Sequence, residues 1–263
     1  LAACRYAGLE PLVTLHHFVH PAWLGTDAWL REQTPHLFAS YARETVRRLN
    51  TLLADRHRLP PVTLYVTLNE PNTLLINTYL SRLFPTRTLG GTRRLLRAAG
   101  NLLAAHVLAY NAIHDVHAEE GWPAPAVTVN NYCTDLYWSD FVLLDLLAMR
   151  ERGVNERRLR EYIHHGAEHF ESSLNRAPRR LAAGLLPQIG ELLRRFMMKR
   201  GFTAFDTQPL GPFLREVERS PRDRFLDYLA LDYYDPFTAH LIRTPSFGDL
   251  ELANRSLSAK LMS

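Results

Sequence analysis

The sequence has few cysteines and no long apolar run. Cys4 and Cys133 do not form a Cys-x-x-Cys pair, and two cysteines are too few for a disulfide framework, so we expect packed thiols and a cytoplasmic location. No basic and then apolar leader precedes the first predicted strand, so no signal peptide is expected. No apolar run approaches the roughly 18 residues of a membrane helix, and we therefore predict no membrane-spanning role.

Lysine is almost absent. Lys199 and Lys260 are the only lysines among the 31 lysine and arginine residues, so 31 minus 2, or 29, are arginines. The net charge is +4. Nucleic-acid sites concentrate charge on one face, with aromatic residues between the charges. The arginines here lie on separate helical stretches, so we predict solvated helix faces and no nucleic-acid partner. An arginine-rich nucleic-acid interaction module remains an alternative, which predicts salt-sensitive binding.

Several catalytic signatures are missing. The chain contains no G-x-G-x-x-G, G-x-x-x-x-G-K-[ST], G-x-S-x-G or H-E-x-x-H motif. These absences weaken dinucleotide-binding, P-loop, serine-hydrolase and zincin interpretations. We accordingly expect no cofactor and no metal.

Short apolar runs alternate with long amphipathic stretches, which is the pattern of parallel βαβ units. Strands are predicted at about 11–15, 62–68, 126–130 and 228–233. Helices are predicted at 1–7, closed by Gly8, at 35–55, where Leu37, Tyr41, Thr45 and Leu49 recur at helical spacing, and at 93–119. A helical insertion is expected at about 131–225, with apolar spacing around 141–149 and 189–197.

The length of 263 residues is close to that of one (β/α)8 barrel, for which about 250 residues is typical. Four strand and helix units are half of a closed barrel. The chain is therefore either an open doubly wound sheet or a piece of a longer chain. We predict an α/β fold, a partial (β/α)8 TIM barrel truncated at both ends, in which residues 1–263 form a single incomplete domain.

The strongest local signal is Thr67-Leu68-Asn69-Glu70-Pro71, where an apolar strand ends in an amide, a carboxylate and a proline. Catalytic groups of parallel α/β folds gather at the carboxyl ends of strands. A glutamate there, beside an apolar wall, can have a raised pKa and act as a general acid. The alternative is a solvated loop glutamate with Asn69 as a turn former.

Two further strand ends carry polar and aromatic residues. In Thr14-Leu15-His16-His17-Phe18 the adjacent histidines point to opposite sides of the strand, so at most one faces the barrel axis. A metal site is not predicted, because these histidines and His20 match no standard zinc spacing. The run Leu231-Asp232-Tyr233-Tyr234-Asp235-Pro236 offers hydroxyl partners and aromatic platforms for a sugar, or else packs against its own insertion.

Taken in order, these segments resemble glycoside hydrolase family one, the β-glucosidase family of retaining (β/α)8 enzymes. Residues 8–18, continued by 21–24, resemble the third barrel strand of that family. Val66 to Pro71, with its Asn-Glu-Pro motif, resembles the fourth. Weaker matches are 102–109 to the following helix, 127–130 to the fifth strand and 229–234 to the sixth.

The resemblance implies a role for each matched residue. Glu70 protonates the glycosidic oxygen and later activates water, while Asn69 binds the 2-hydroxyl of the sugar. His17 binds the glycone, Tyr234 hydrogen-bonds the nucleophile and Asn130 lines the aglycone side. The substrate implied is a small-molecule β-glycoside; the oligomeric state is not implied.

Departures from the family pattern limit the resemblance. Phe18 stands where the family commonly has Trp, and Asp232 stands where it has Asn, so both are candidate substrate-binding positions with altered chemistry. Retaining hydrolysis needs a second carboxylate about 5 to 5.5 Å from the first, and no Thr-Glu-Asn-Gly-like motif occurs in these residues. We predict that the chain alone is inactive. A non-catalytic or degenerate carbohydrate-binding member is the alternative.

Overall fold

A computed structural model describes residues 1–80, 90–133, 136–176, 196, 199–201 and 203–232. The strands are β1 (Leu12–His16), β2 (Leu64–Asn69), β3 (Ala126–Tyr132) and β4 (Ala230–Asp232). The α-helices are α1 (Ala2–Tyr6), α2 (Thr34–His57), α3 (Pro71–Leu75), α4 (Thr92–Glu119), α5 (Tyr137–Asp140), α6 (Val142–Ala148), α7 (Glu156–Arg176) and α8 (Gly211–Arg219). Short 3-10 turns span Ala22–Leu24, Ala28–Leu30 and Gln208–Leu210, and a π-helical turn spans Ile76–Leu80.

The four strands form one parallel sheet in the order β1-β2-β3-β4, which confirms the predicted α/β class. Strand bounds differ from the sequence prediction by one or two residues. Short runs rich in Val, Leu and Thr, bounded by Pro and Gly residues, predict the positions of strands well because such runs fit a buried parallel sheet. The predicted end of the fourth strand, at 233, lies outside the described residues.

Helix α2 is confirmed, but it buries a different stripe from the one that its spaced residues indicated. Leu37 and Tyr41 are exposed, at 38% and 49% of their surface. The buried side is formed by the next positions in the chain, Phe38, Ala42, Val46, Asn50 and Leu53. Both stripes have helical spacing, so only packing against α4 distinguishes them.

Helix α4 is the centre of the core. Its buried face includes Ala99, Leu102, Leu103, His106 and Tyr110. At Gly100 the helix meets the 3-10 turn at Gln208–Leu210 so closely that an added Cβ would lie 2.5 Å from the Pro209 carbonyl oxygen. A side chain there would force the two elements apart, which explains a glycine inside a long helix.

In the described residues, helices α5 to α8 lie between β3 and β4 in the chain. Leu146, Leu147, Leu159 and Ile163 of α6 and α7 are buried in the same core cluster as α4. Of the apolar stretch 189–197, only residue 196 is described. In the part of the chain that the structure describes, no helix is long and apolar enough to span a bilayer.

Candidate functional site

Polar side chains of all four strands meet at one edge of the sheet. Because the strands are parallel, their carboxyl ends lie side by side. The residues there are His17, directly after β1, Asn69 at the end of β2, Asn130 within β3 and Asp232 at the end of β4. Four of the predicted site residues are therefore brought together.

These four side chains form a continuous chain of hydrogen-bond contacts. Nδ2 of Asn130 donates to Oδ2 of Asp232 at 2.6 Å and to Oδ1 of Asn69 at 2.9 Å. Nδ2 of Asn69 lies 3.3 Å from Nε2 of His17. The contacts cross the whole sheet from β1 to β4, so the orientation of each side chain depends on its neighbour.

A bulge in β2 sets the position of Asn69. Val66 is paired with Thr128 and Asn69 with Asn130, so β2 advances three residues while β3 advances two. Bulges bend a strand and redirect its side chains, and they are frequent beside active sites. Because of this bulge, Asn69 lies opposite Asn130. Without it, Asn69 would lie opposite the next residue of β3.

Glu70 follows the bulge and is 9% exposed, which rules out the freely solvated loop glutamate. Its backbone has a φ of 42°, in the left-handed region that non-glycine residues rarely adopt. The N–H of Glu70 donates to the Asn130 carbonyl oxygen at 2.6 Å. Pro71 then begins α3, a position where proline needs no amide hydrogen. The carboxylate is thus held at the strand end by backbone geometry on both sides.

The two histidines after β1 occupy opposite environments, as the strand alternation predicted. His16 is 5% exposed, and its ring meets that of Trp29 edge-on at 5.3 Å, whereas His17 is exposed. Burial, and the imidazoles of His20 and His17, lower the pKa of His16 to about 4. His16 is therefore a neutral core residue, and His17 is the histidine available to a ligand.

Phe18 also belongs to this edge of the sheet. Its φ is 67°, and its ring meets that of His17 edge-on with a centroid distance of 4.8 Å. Two non-glycine residues in the left-handed region, Phe18 and Glu70, thus follow the first two strands. Such strained positions cluster at functional sites.

Supporting residues behind the strand ends were missed by sequence reasoning. Asn72 holds α3 to β3: its Nδ2 donates to the carbonyl oxygens of Tyr132 at 2.6 Å and of Ser139 at 3.0 Å. The signal available was an amide placed directly after Glu-Pro. Its partners are some 60 residues away in sequence, so only the structure identifies them.

His106 supports β2 from behind. Its Nε2 lies 2.6 Å from the Phe225 carbonyl oxygen, so this nitrogen donates, and Nδ1 accepts from the Thr67 hydroxyl at 2.6 Å. Complete burial lowers the pKa of His106 to about 4. The sequence does not show that His106 connects α4 to the strand that carries Asn69.

Asp227 connects the segment before β4 to α4 and β3. It accepts hydrogen bonds from Tyr110 at 2.6 Å, His114 at 3.0 Å and the Val127 N–H at 2.8 Å. Burial opposes its ionisation, but these donors outweigh that effect and lower the pKa of Asp227. Its ionised carboxylate fixes the approach of β4 to the sheet.

Other sequence expectations lie away from this edge. Tyr234 lies outside the described residues. Cys4 and Cys133 are not joined in a disulfide; Cys133 is buried and Cys4 is partly buried. Within the described ranges no group of three His, Cys, Asp or Glu side chains could hold a metal ion.

A mostly apolar cavity of about 320 Å³ between α3, α4 and α6 is bordered by Asn72, but not by His17, Asn69, Glu70, Asn130 or Asp232.

The first half of the chain is similar to a known protein family. Residues 1–131 match the model of Glycosyl hydrolase family 1. A 6-phospho-beta-galactosidase of Lacticaseibacillus rhamnosus is 31% identical over 111 residues, which are 42% of this chain and 21% of that protein. The same-named protein of Lacticaseibacillus casei (strain BL23) is 29% identical over 111 residues, also 42% and 21%. The matched region thus spans about a fifth of the length of these relatives.

Solved structures show the fold. A beta-glucosidase from Thermotoga maritima in complex with galacto-hydroximolactam is similar with a TM-score of 0.54 and 15% identity, over 89% of this chain and 43% of that one. The castanospermine complex of a Thermotoga maritima beta-glucosidase gives 0.55 and 14%, again over 89% and 43%. The parallel sheet with its helices is therefore part of a (β/α)8 barrel, and the chain spans less than half of the length of these neighbours.

Proposed function

Because residues 1–131 belong to glycosyl hydrolase family 1, we propose that the protein carrying this chain is a retaining β-glycosidase in which Glu70 is the general acid and base. The observation that supports this most directly is the position of Glu70: a nearly buried carboxylate at the end of β2, next to a row of amide, imidazole and carboxylate side chains. Such a row suits the hydroxyl groups of a sugar, which both donate and accept.

In this proposal Glu70 protonates the glycosidic oxygen as the bond breaks, and then removes a proton from the attacking water. Asn69 and His17 bind glycone hydroxyls, and Asn130 and Asp232 lie further along the sheet. For Tyr234 the proposal keeps the role that the family resemblance implies, a hydrogen bond to the nucleophile. A retaining mechanism needs a second carboxylate as nucleophile, which we assign to a segment other than residues 1–263. The isolated chain is therefore expected to be inactive.

The proposal extends to the organisation and location of the chain. Residues 1–263 are taken as one incomplete barrel domain with a helical insertion at about 131–225. Cys4 and Cys133 are not joined in a disulfide, which supports a reducing, cytoplasmic compartment. The substrate is a small-molecule β-glycoside, and neither a nucleic acid nor a membrane is proposed as a partner.

The experiment is hydrolysis of aryl β-glucosides, β-galactosides and 6-phospho-β-galactosides by the intact protein and its Glu70→Gln variant. The phosphorylated substrate is included because the curated relatives bear that name. Loss of a general acid and base is expected to reduce kcat by about 100-fold or more. The loss is expected to be smaller for a good leaving group, which needs less protonation.

The matched control is Glu44→Gln, which makes the same change on an exposed face of α2, where Glu44 pairs only with Arg48 within the described residues. It is expected to retain full activity. Turnover that survives Glu70→Gln for every leaving group would contradict the proposed role.

Non-catalytic sugar binding remains a second candidate, and Phe18 and Asp232 favour it because both depart from the family pattern. Calorimetric titration of the intact protein with the same glycosides separates the two. Saturable binding without turnover by the wild type supports the binding function, whereas turnover supports the enzyme.

A further inference from the structure

The hydrogen-bond contacts at the strand ends have a direction, meaning a fixed order of donors and acceptors, and Asp232 sets it. An ionised carboxylate only accepts hydrogen bonds. Asn130 must therefore turn its amide nitrogen towards Asp232, and this nitrogen does lie 2.6 Å from Oδ2. An amide oxygen and nitrogen have nearly the same shape, so such a partner is what distinguishes the two orientations of the side chain.

The direction set at Asp232 passes to Asn69. Nδ2 of Asn130 carries two hydrogens, and the second one meets Oδ1 of Asn69 at 2.9 Å. Since Oδ1 of Asn69 faces Asn130, its nitrogen faces the other way, towards Nε2 of His17 at 3.3 Å.

The direction ends at the imidazole of His17. The Asn69 nitrogen only donates, so Nε2 of His17 must accept and carry no proton. A neutral imidazole has one protonated nitrogen, which leaves the proton of His17 on Nδ1. The carboxylate on β4 thus decides the tautomer of a histidine that follows β1, although the two side chains do not touch.

We propose that Asp232 is a positioning residue that fixes the orientation of the Asn130 and Asn69 amides and the Nδ1-protonated tautomer of His17. Asparagine at this position, which the family pattern has, can donate as well as accept. With asparagine the contacts can also run in reverse: residue 232 donates to Asn130, Asn69 turns its oxygen towards His17, and His17 carries its proton on Nε2.

The consequence for substrate rests on the proposed function. With the observed direction, one N–H of Asn69 is taken by the lone pair of Nε2 of His17, and the second N–H of Asn69 is left for a substrate. A glycone hydroxyl placed there would accept from Asn69. In the reversed direction the same hydroxyl would have to donate to Asn69, so Asp232 determines which hydrogen-bonding pattern the site offers.

The test measures the protonated nitrogen of His17 directly, by ¹⁵N NMR of the intact protein labelled at histidine. At about pH 8.5, some two units above the ordinary imidazole pKa, long-range ¹H–¹⁵N correlations separate the Nδ1-protonated and Nε2-protonated forms. A His17→Gln spectrum assigns the signals. The wild type is expected to show the Nδ1-protonated form alone.

Asp232→Asn, which preserves the shape of the side chain, is expected to give a measurable fraction of the Nε2-protonated form. Asp223→Asn is the matched control, because Asp223 is an exposed acid paired with Arg150, and it should leave the spectrum of His17 unchanged. The amide ¹H–¹⁵N spectrum confirms that each variant is folded. Asp232→Ser is a second variant in case Asp232→Asn does not fold, since a hydroxyl also donates and accepts.

An Nε2-protonated His17 in the wild type, or an Nδ1-protonated form unchanged in the folded Asp232 variants, would overturn the proposal. The readout does not use activity. If the intact protein hydrolyses no glycoside but the tautomer responds to Asp232→Asn, the proposed function fails while the positioning role stands. If the intact protein hydrolyses glycosides but the tautomer of His17 does not respond to Asp232→Asn, the positioning role fails while the proposed function stands.

Discussion

The backbone N–H of Glu70 donates a 2.6 Å hydrogen bond to the carbonyl oxygen of Asn130, immediately after the bulge in β2. This contact continues the pairing of the two strands one residue past the end of β2, into a residue whose φ is 42°. The candidate acid is therefore attached to the neighbouring strand through its backbone.

The left-handed backbone of Glu70 predicts an unusual order of stability among its variants. Glycine adopts this conformation without a Cβ clash, whereas alanine retains the clash. We expect Glu70→Gly to be more stable than Glu70→Ala by about 1 kcal/mol, opposite to the usual order in helices. Urea unfolding monitored by circular dichroism measures the difference; equal stability, or a more stable alanine variant, would contradict the strained backbone.

The contact between Thr67 and His106 predicts a loss of stability in Thr67→Val. The substitution preserves the shape but leaves Nδ1 of the fully buried imidazole without its 2.6 Å donor. An unsatisfied buried polar atom costs about 1–3 kcal/mol. Thr67→Ser keeps the hydroxyl and is expected to lose less. Unfolding free energies of the two variants that are the same within error would show that the hydrogen bond contributes nothing.

Asp227 and Asp223 predict different outcomes for the same chemical change a few residues apart. Asp227→Asn loses a charged acceptor that serves Tyr110, His114 and the Val127 N–H. We expect a loss of about 2–3 kcal/mol, because hydrogen bonds to charged groups are the stronger ones. Asp223→Asn removes an exposed ion pair with Arg150 and should change stability by about 0.5 kcal/mol or less. Equal effects in thermal unfolding would refute the role of Asp227.

The buried imidazoles of His16 and His106 predict loss of stability in acid. Burial lowers the pKa of each from 6.5 to about 4. The neutral forms therefore contribute their full stability above about pH 6.5, and this contribution is lost as the pH falls from there towards about 4. The complete loss corresponds to roughly 3 kcal/mol for each imidazole.

Urea unfolding at about pH 7.5 and about pH 4.5 measures this dependence. His16→Phe is the informative variant, because the ring nitrogens of His16 have no hydrogen-bond partner among the described residues and its ring packs against Trp29 and Phe38. Phenylalanine keeps that packing and cannot ionise, so a smaller acid loss is expected. An unchanged acid loss in this variant would exclude His16 as a source.

The strands and the chemical character of their ends could be read from the sequence. Runs such as Leu64 to Leu68 between prolines and polar residues are buried on both faces, so their composition indicates a parallel strand without reference to partners. Glu70, His17 and Asp232 could be singled out because each directly follows or ends such a run. The buried side of α2 could not be read, because two neighbouring stripes are both partly apolar and the choice depends on what packs against them.

The sequence by itself determined which residues stand at the strand ends, since that follows from local hydrophobicity and the restrictions of proline. Only the tertiary structure decided how those residues act on one another. Asn69, Asn130 and Asp232 are separated by about 60 and 100 residues, and the bulge in β2 sets which side chains face each other. Hydrogen bonds act over about 3 Å, so the order of donors and acceptors that ends at His17 exists only once the strands are in register.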